Sequence, residues 1–169
     1  MLAAILILLG WLSRIIIHIP NFTPVISIAL LSGMAYPKRH AVWVPVILMI
    51  LSDLVIGLHS TVLFTWGAVA VIAFLGHSLK QDSPIVKLLG TNLWAALFFF
   101  LVTNFGTWMM DDLYPKTWEG LRTCYVMAIP FFRYTLLSTL IYSALLFGSY
   151  NFVAARVRRT RWARVLFTS

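Results

Sequence analysis

The chain has 169 residues, 61% of them hydrophobic, with a mean hydropathy of +0.91 and only 11% charged. So little charge cannot cover a water-facing surface of this size, which excludes an ordinary soluble domain and points to an integral membrane protein. The formal net charge of +8 is not read as a nucleic-acid footprint, because five of the thirteen basic residues crowd between Arg156 and Arg164; a basic segment after a last span meets anionic lipid.

In chain order, the pattern predicts six spans. The first runs from Leu2 to His18. Its run, "MLAAILILLGWLSRIIIHIP", has no basic leader and is interrupted by Arg14, so a retained helix is expected rather than a cleaved signal. "HIPNFTP" then breaks the apolar run between two prolines, with Thr23 and Pro24 suited to opening the next helix. The second span, Pro24 to Tyr36, is short for a bilayer and should pack inside the bundle or cross incompletely. The third runs from Ala41 to Leu58 with Pro45 in its first turns, the fourth from Thr61 to Leu79, the fifth from Lys87 to Met110 and the sixth from Pro130 to Phe152. The expected fold is an all-α integral membrane protein, a six-transmembrane-helix bundle over 1–155, followed by a basic cytoplasmic tail over 156–169.

Lysine and arginine set the expected orientation. "YPKRH" (Tyr36 to His40), "LKQDSPIVK" (Leu79 to Lys87) and the arginine-rich tail alternate consistently as cytoplasmic segments. Both termini are then inside, in a bacterial cytoplasmic membrane. The outer connections are residues 18–23, residues 58–60 and the long stretch from Asp111 to Ile129. That last stretch is long for a mere connector and is expected to act as a lid.

The polar residues gather toward the expected outer side. Arg14, Asn21, Asp53, His59, Asn104, Trp108, Tyr114, Tyr125 and Arg133 are the candidate substrate-binding residues. Ionisable groups within spans are costly and face partners or a cavity, so this clustering predicts a pocket open to the outside. Guanidinium groups would hold a polar group and aromatics would stack on a ring. Each residue also has a plainer reading. Asp53 pairs with Arg14 or Arg133, Asn104 ties helices together, and Trp108 belongs to an aromatic belt. Ser143, Ala144 and Gly148 read as a packing face on the sixth span.

Chemistry is sparse. No Walker A, HExxH or CxxC pattern occurs, and no serine sits in a nucleophile setting. Asp111 and Asp112 read as solvated loop carboxylates. His18, His59 and Cys124 do not have the spacing of a standard metal motif, and the single cysteine excludes an internal disulfide. No catalytic residue, metal or cofactor is expected, and the chain is not read as an enzyme.

Four blocks together carry a resemblance: "SRIIIHIPNFTPVISIALLSG" (Ser13 to Gly33), "SDLVIGLH" (Ser52 to His59), "FFFLVTNFGTW" (Phe98 to Trp108) and "YPKTWEGLRTCYVMAIPFFRYTLLSTLIYSALLFG" (Tyr114 to Gly148). They resemble an uncharacterised bacterial family of six-span proteins assigned to transport. That family in turn resembles the substrate-binding S components of energy-coupling factor (ECF) transporters. The resemblance implies an S-component-like bundle with both ends inside and a substrate pocket near the outer face. It implies capture of a small, vitamin-like molecule, either with an ECF-type coupling subunit and its ATPases or as a solitary relative. Near the inner end of the first span only Ala3 and Ala4 offer the small residues such a coupling subunit packs against. The alternative is a non-transporting structural or accessory subunit of a larger membrane complex. An outward pocket of roughly 300 Å³ or more separates the two.

Overall fold

The computed structural model describes residues 1–17 and 19–157. Every regular element among them is helical: α1 (Leu2–Ile16), α2 (Val25–Ala35), α3 (Lys38–Ala41), α4 (Trp43–Ile56), α5 (Val62–Gly76), α6 (Ile85–Met110) and α7 (Trp118–Val157). The single turn of α3 leads into α4, so Lys38–Ile56 forms one apolar helix. Lys38–Ile56, Ile85–Met110 and Trp118–Val157 are long and apolar enough to cross a membrane, whereas α1, α2 and α5 are shorter apolar helices.

Local chemistry explains most boundaries. Pro24, Pro37 and Pro84 stand immediately before α2, α3 and α6, where a missing N–H costs nothing. Helix α4 ends at Gly57, whose φ of +117° suits a residue without Cβ.

Helix α2 is the core of the bundle. Every residue from Val25 to Gly33 is buried, as expected for a short helix that is apolar all round. It packs against α4, α5 and α7, and more lightly against α1 and α6. The approach to α5 is close because glycines meet: a methyl group on Gly33 would overlap the Ala73 carbonyl, and one on Gly76 would overlap the Leu30 carbonyl. Helix α1 lies on α4 with the side chains of Leu48, and of Ile28 from α2, over Gly10, and with Trp11 Nε1 donating to the Leu51 carbonyl at 3.3 Å.

Two expectations are corrected. The first concerns the lid. Residues 118–129 are helical and continuous with the span after them; the true α6–α7 connection is residues 111–117. Pro130 was expected to start the sixth span, but it lies inside α7, on an exposed face. A proline removes one helical hydrogen bond, and helices of this apolar kind absorb that loss. At 1.5 Å per residue the 40-residue α7 is about 60 Å long.

The second concerns the half of the bundle away from the α1–α2 turn, expected to be nearly free of polar groups. Asn92 near the start of α6 is buried and carries a network. Ser143 Oγ donates to Asn92 Oδ1 and lies 3.0 Å from Ser27 Oγ, which donates to the Thr139 carbonyl at 2.9 Å. Ser143 thus joins α2, α6 and α7 by hydrogen bonds, whereas Ala144 and Gly148, expected to share a packing face with it, are exposed, with open space around Gly148. Of the basic tail, Arg156 and Val157 end α7, and the rest lies outside the described residues.

Candidate functional site

A cavity of about 730 Å³ lies where the ends of α1 and α4 and the start of α2 face stretches of α5, α6 and α7. Its rim is exposed at Pro20, Asn21, Ile56 and His59, and its floor is the buried pair Val25 and Ile26. It therefore opens at the end of the bundle that carries the α1–α2 turn. The volume falls in the range of small-molecule sites, roughly 300–1,000 Å³.

The turn at the rim is built from its sequence. The Phe22 N–H donates to the Ile19 carbonyl at 3.1 Å, placing Pro20 and Asn21 at the centre of a β-turn. Proline fixes φ at the first central position, and asparagine tolerates the φ of +60° at the second. Ser138 Oγ of α7 donates to the Asn21 carbonyl at 3.3 Å. The Phe22 ring packs on Tyr142, with 5.7 Å between centroids. Both contacts fasten the turn to α7.

The two long walls differ in chemistry. Helix α1 with the residues after it, together with α4, supplies Ile15, Ile17, Ile19, Met49, Val55 and Ile56. Helices α5, α6 and α7 supply Thr65, Thr103, Asn104, Thr107, Thr135 and Ser138. Apart from Arg14 the first side is aliphatic, and the second carries hydroxyls and an amide beside the Phe99 ring.

Arg14 lines the cavity from the aliphatic side, and Asp53 stands behind it, fully buried. Arg14 Nη2 is 2.8 Å from Asp53 Oδ1, an ion pair between α1 and α4. Asp53 Oδ2 accepts from Trp66 Nε1 at 2.7 Å. The turn at Gly57 brings His59 back, so that its Nε2 lies 3.9 Å from the same oxygen. His59 Nδ1 is 2.8 Å from Thr61 Oγ1. An isolated carboxylate is prohibitive in apolar surroundings. Asp53 is tolerated because Arg14 and Trp66 meet it, and Arg133 takes no part in that pairing.

Of the expected substrate-binding residues, Arg14, Asn21, His59 and Asn104 come together on the cavity wall, and Asp53 holds Arg14 from behind. Four others lie elsewhere. Trp108 Nε1 donates to the Pro115 carbonyl at 2.9 Å and closes the α6–α7 connection. Tyr114 sits half-buried in that connection. Tyr125 donates its hydroxyl to the Leu101 carbonyl at 2.8 Å, pinning α7 to α6. Arg133 is exposed and lies over the Tyr134 ring at 4.8 Å. Cys124 is buried, and its Sγ donates to the Asn104 carbonyl at 3.4 Å. Among the described residues no group of three His, Cys, Asp or Glu side chains could hold a metal; His18 lies outside them.

Residues 1–162 match the family model DUF6580, described as a family of unknown function. The chain belongs to that family. No curated protein and no solved structure matches it.

Sequence reasoning missed the hydroxyl wall of this DUF6580 member. The signal was present as spacing. Thr61 at the boundary of α5 and Thr65 within it, and again Thr103 and Thr107 in α6, stand four apart, which places each pair on one face. It also missed Trp66, the neutral partner of Asp53.

Proposed function

We propose that this chain is a membrane-embedded capture subunit that takes a small organic molecule from the outer face, in the manner of an ECF S component. The observation that carries the reading is the 730 Å³ cavity, open at one end of the bundle and floored by α2. Its two-sided wall suits an amphipathic ligand, and a cavity of this size is not what a self-sealed scaffold needs.

In the proposed orientation the three long and the three shorter apolar helices cross or partly cross the bilayer, and both termini are cytoplasmic. Charge supports this. Lys38 and Arg39 lie between α2 and α4, and Lys80 and Lys87 lie between α5 and α6 or at its start. Those connections alternate with the α1–α2, α4–α5 and α6–α7 connections at the cavity's end of the bundle, as a positive-inside arrangement requires. Transport, with a coupling subunit or without one, is the function this reading implies.

The test is co-purification. The protein would be isolated in mild detergent with nothing added, and its small-molecule content read by native and small-molecule mass spectrometry. A stoichiometric organic compound is expected. It should be lost in Thr103→Trp, which fills the cavity, and kept in Leu93→Ala on the exposed face of α6. Co-purifying membrane proteins without any small molecule would replace capture with the accessory-subunit reading.

A further inference from the structure

The hydrogen-bond state of the hydroxyl wall points to the chemical class of the ligand. A threonine hydroxyl has one hydrogen to donate and two lone pairs to accept with. On this wall the hydrogens are spent. Thr65 donates to the Val62 carbonyl at 3.0 Å, Thr103 to the Phe99 carbonyl at 2.8 Å, and Thr107 to the Thr103 carbonyl at 3.2 Å. Ser138 donates to carbonyls of Thr135 and Asn21. Back-bonding of this kind is ordinary for hydroxyls in helices. Asn104 does the same with its amide: Nδ2 donates to the Phe100 carbonyl at 2.8 Å, which fixes the flip and leaves Oδ1 over. The polar wall therefore offers lone pairs and almost no donors.

Charge agrees with the hydrogen-bond count. Among the described residues Arg14 is the one permanent cation on the wall, and Asp53 at 2.8 Å offsets it. Its second nitrogen, Nη1, is turned onto Met49 Sδ at 2.6 Å. The other side-chain donors of the lining, on Asn21, Thr23, His59 and Thr61, belong to the α1–α2 and α4–α5 connections and not to the hydroxyl wall. Beside the offset Arg14, the N-terminus of α2 at the floor, which has no side-chain cap, is what favours negative charge among the described residues.

We propose that the cavity takes an amine: a small molecule with an apolar body and ammonium, amidine or amino N–H groups, and not an organic acid. The proposal rests on the capture reading above. An N–H-bearing group finds acceptors on Thr103, Asn104 and Thr107 while its apolar body lies on the aliphatic wall, and a charged donor makes the stronger bonds. A carboxylate in the same place would face lone pairs.

Isothermal titration of the full chain in mild detergent, against empty micelles, would compare three matched probes up to millimolar concentration: phenethylamine, 2-phenylethanol and 3-phenylpropanoate. The amine should bind at least about ten-fold more tightly than the acid, the order of one lost charge-assisted hydrogen bond. Thr103→Val with Thr107→Val, which keeps the shape, should weaken the amine roughly three- to ten-fold per acceptor removed. The matching pair Thr103→Ser with Thr107→Ser keeps the oxygens and should restore binding. Equal or tighter binding of 3-phenylpropanoate overturns the amine class and hands the site to the α2 N-terminus, leaving capture intact. Amine binding unchanged in the valine pair, or no binding by any probe, also overturns it. Capture itself stands or falls on the co-purification result.

Discussion

Asp53 has no exposed surface in a bundle of aliphatic side chains, so its charge has to be met where it stands. Arg14 meets it across the α1–α4 interface, and Trp66 of α5 adds a neutral donor. Breaking one side of such a pair strands the other charge, which costs on the order of 3–5 kcal/mol, whereas replacing both with apolar groups is close to neutral. Asp53→Leu should therefore destabilise the protein by about that much, and Arg14→Met combined with Asp53→Leu should recover most of the loss. Unfolding in a mixed-micelle denaturant series, read by near-UV circular dichroism, would measure both. Equal losses for the single and double variants would show that the pair is not what stabilises the three helices. That Asp53 would be paired was legible in the sequence, since a buried charge has few other ways to be neutralised, but Arg14 and Arg133 stood as alternative partners and the structure takes Arg14. Trp66 was not, because tryptophans near span ends read as belt residues. The threonines of the cavity were hidden for a related reason: a hydroxyl that bonds its own helix sits in apolar sequence without marking itself.

At the scale of elements, the crossing of α2 and α5 is set by the glycines at positions 33 and 76, which let carbonyls and Cα atoms meet. Gly33→Ala puts a methyl into main chain that cannot swing aside, and a loss of roughly 1–3 kcal/mol is expected, as for other overpacked cores. Gly67, on the exposed side of α5, has open space around it. Gly67→Ala should therefore gain about 0.5–1 kcal/mol from helix propensity. The same unfolding assay separates the two, and similar responses would mean that propensity rather than the crossing controls both. The helix bounds themselves were largely readable, because prolines, glycine and charge punctuate the apolar runs. The start of α7 was misread for one reason. Pro130 looks like a boundary in sequence, yet its effect on a helix held by long-range contacts is a single missing hydrogen bond. Tyr125 on Leu101 belongs to the packing that holds the preceding turns helical, and a contact between residues 24 apart does not show in a local pattern.

For the whole molecule, sequence placed Arg14, Asn21, His59 and Asn104 toward one end, and the structure brings them onto one cavity. The volume of that cavity was not legible, since it depends on how α2 seats between α4, α5 and α7. The proposed orientation makes an observable claim. In a Cys124→Ser background, a cysteine at Asp112 should react with a membrane-impermeant maleimide in intact cells. A cysteine at Lys80 should react only after permeabilisation. The opposite pattern would turn the cavity toward the cytoplasm and end the outer-capture reading.

The shortness of α2 has an electrical consequence under that orientation. Its 11 residues span about 16 Å, roughly half of a 30 Å hydrocarbon layer. The open cavity lets solvent potential reach down to Val25 and Ile26, so the insulating thickness at the centre of the protein is little more than α2 itself. Most of the membrane voltage then drops across that slab, where the field is about twice that in the surrounding lipid. A charged molecule settling on the floor crosses little of the voltage and binds almost independently of it. The same molecule passing α2 crosses nearly all of it, worth about 2.3 kcal/mol per charge at 100 mV. Membrane voltage would thus bias release to the other side and leave capture untouched.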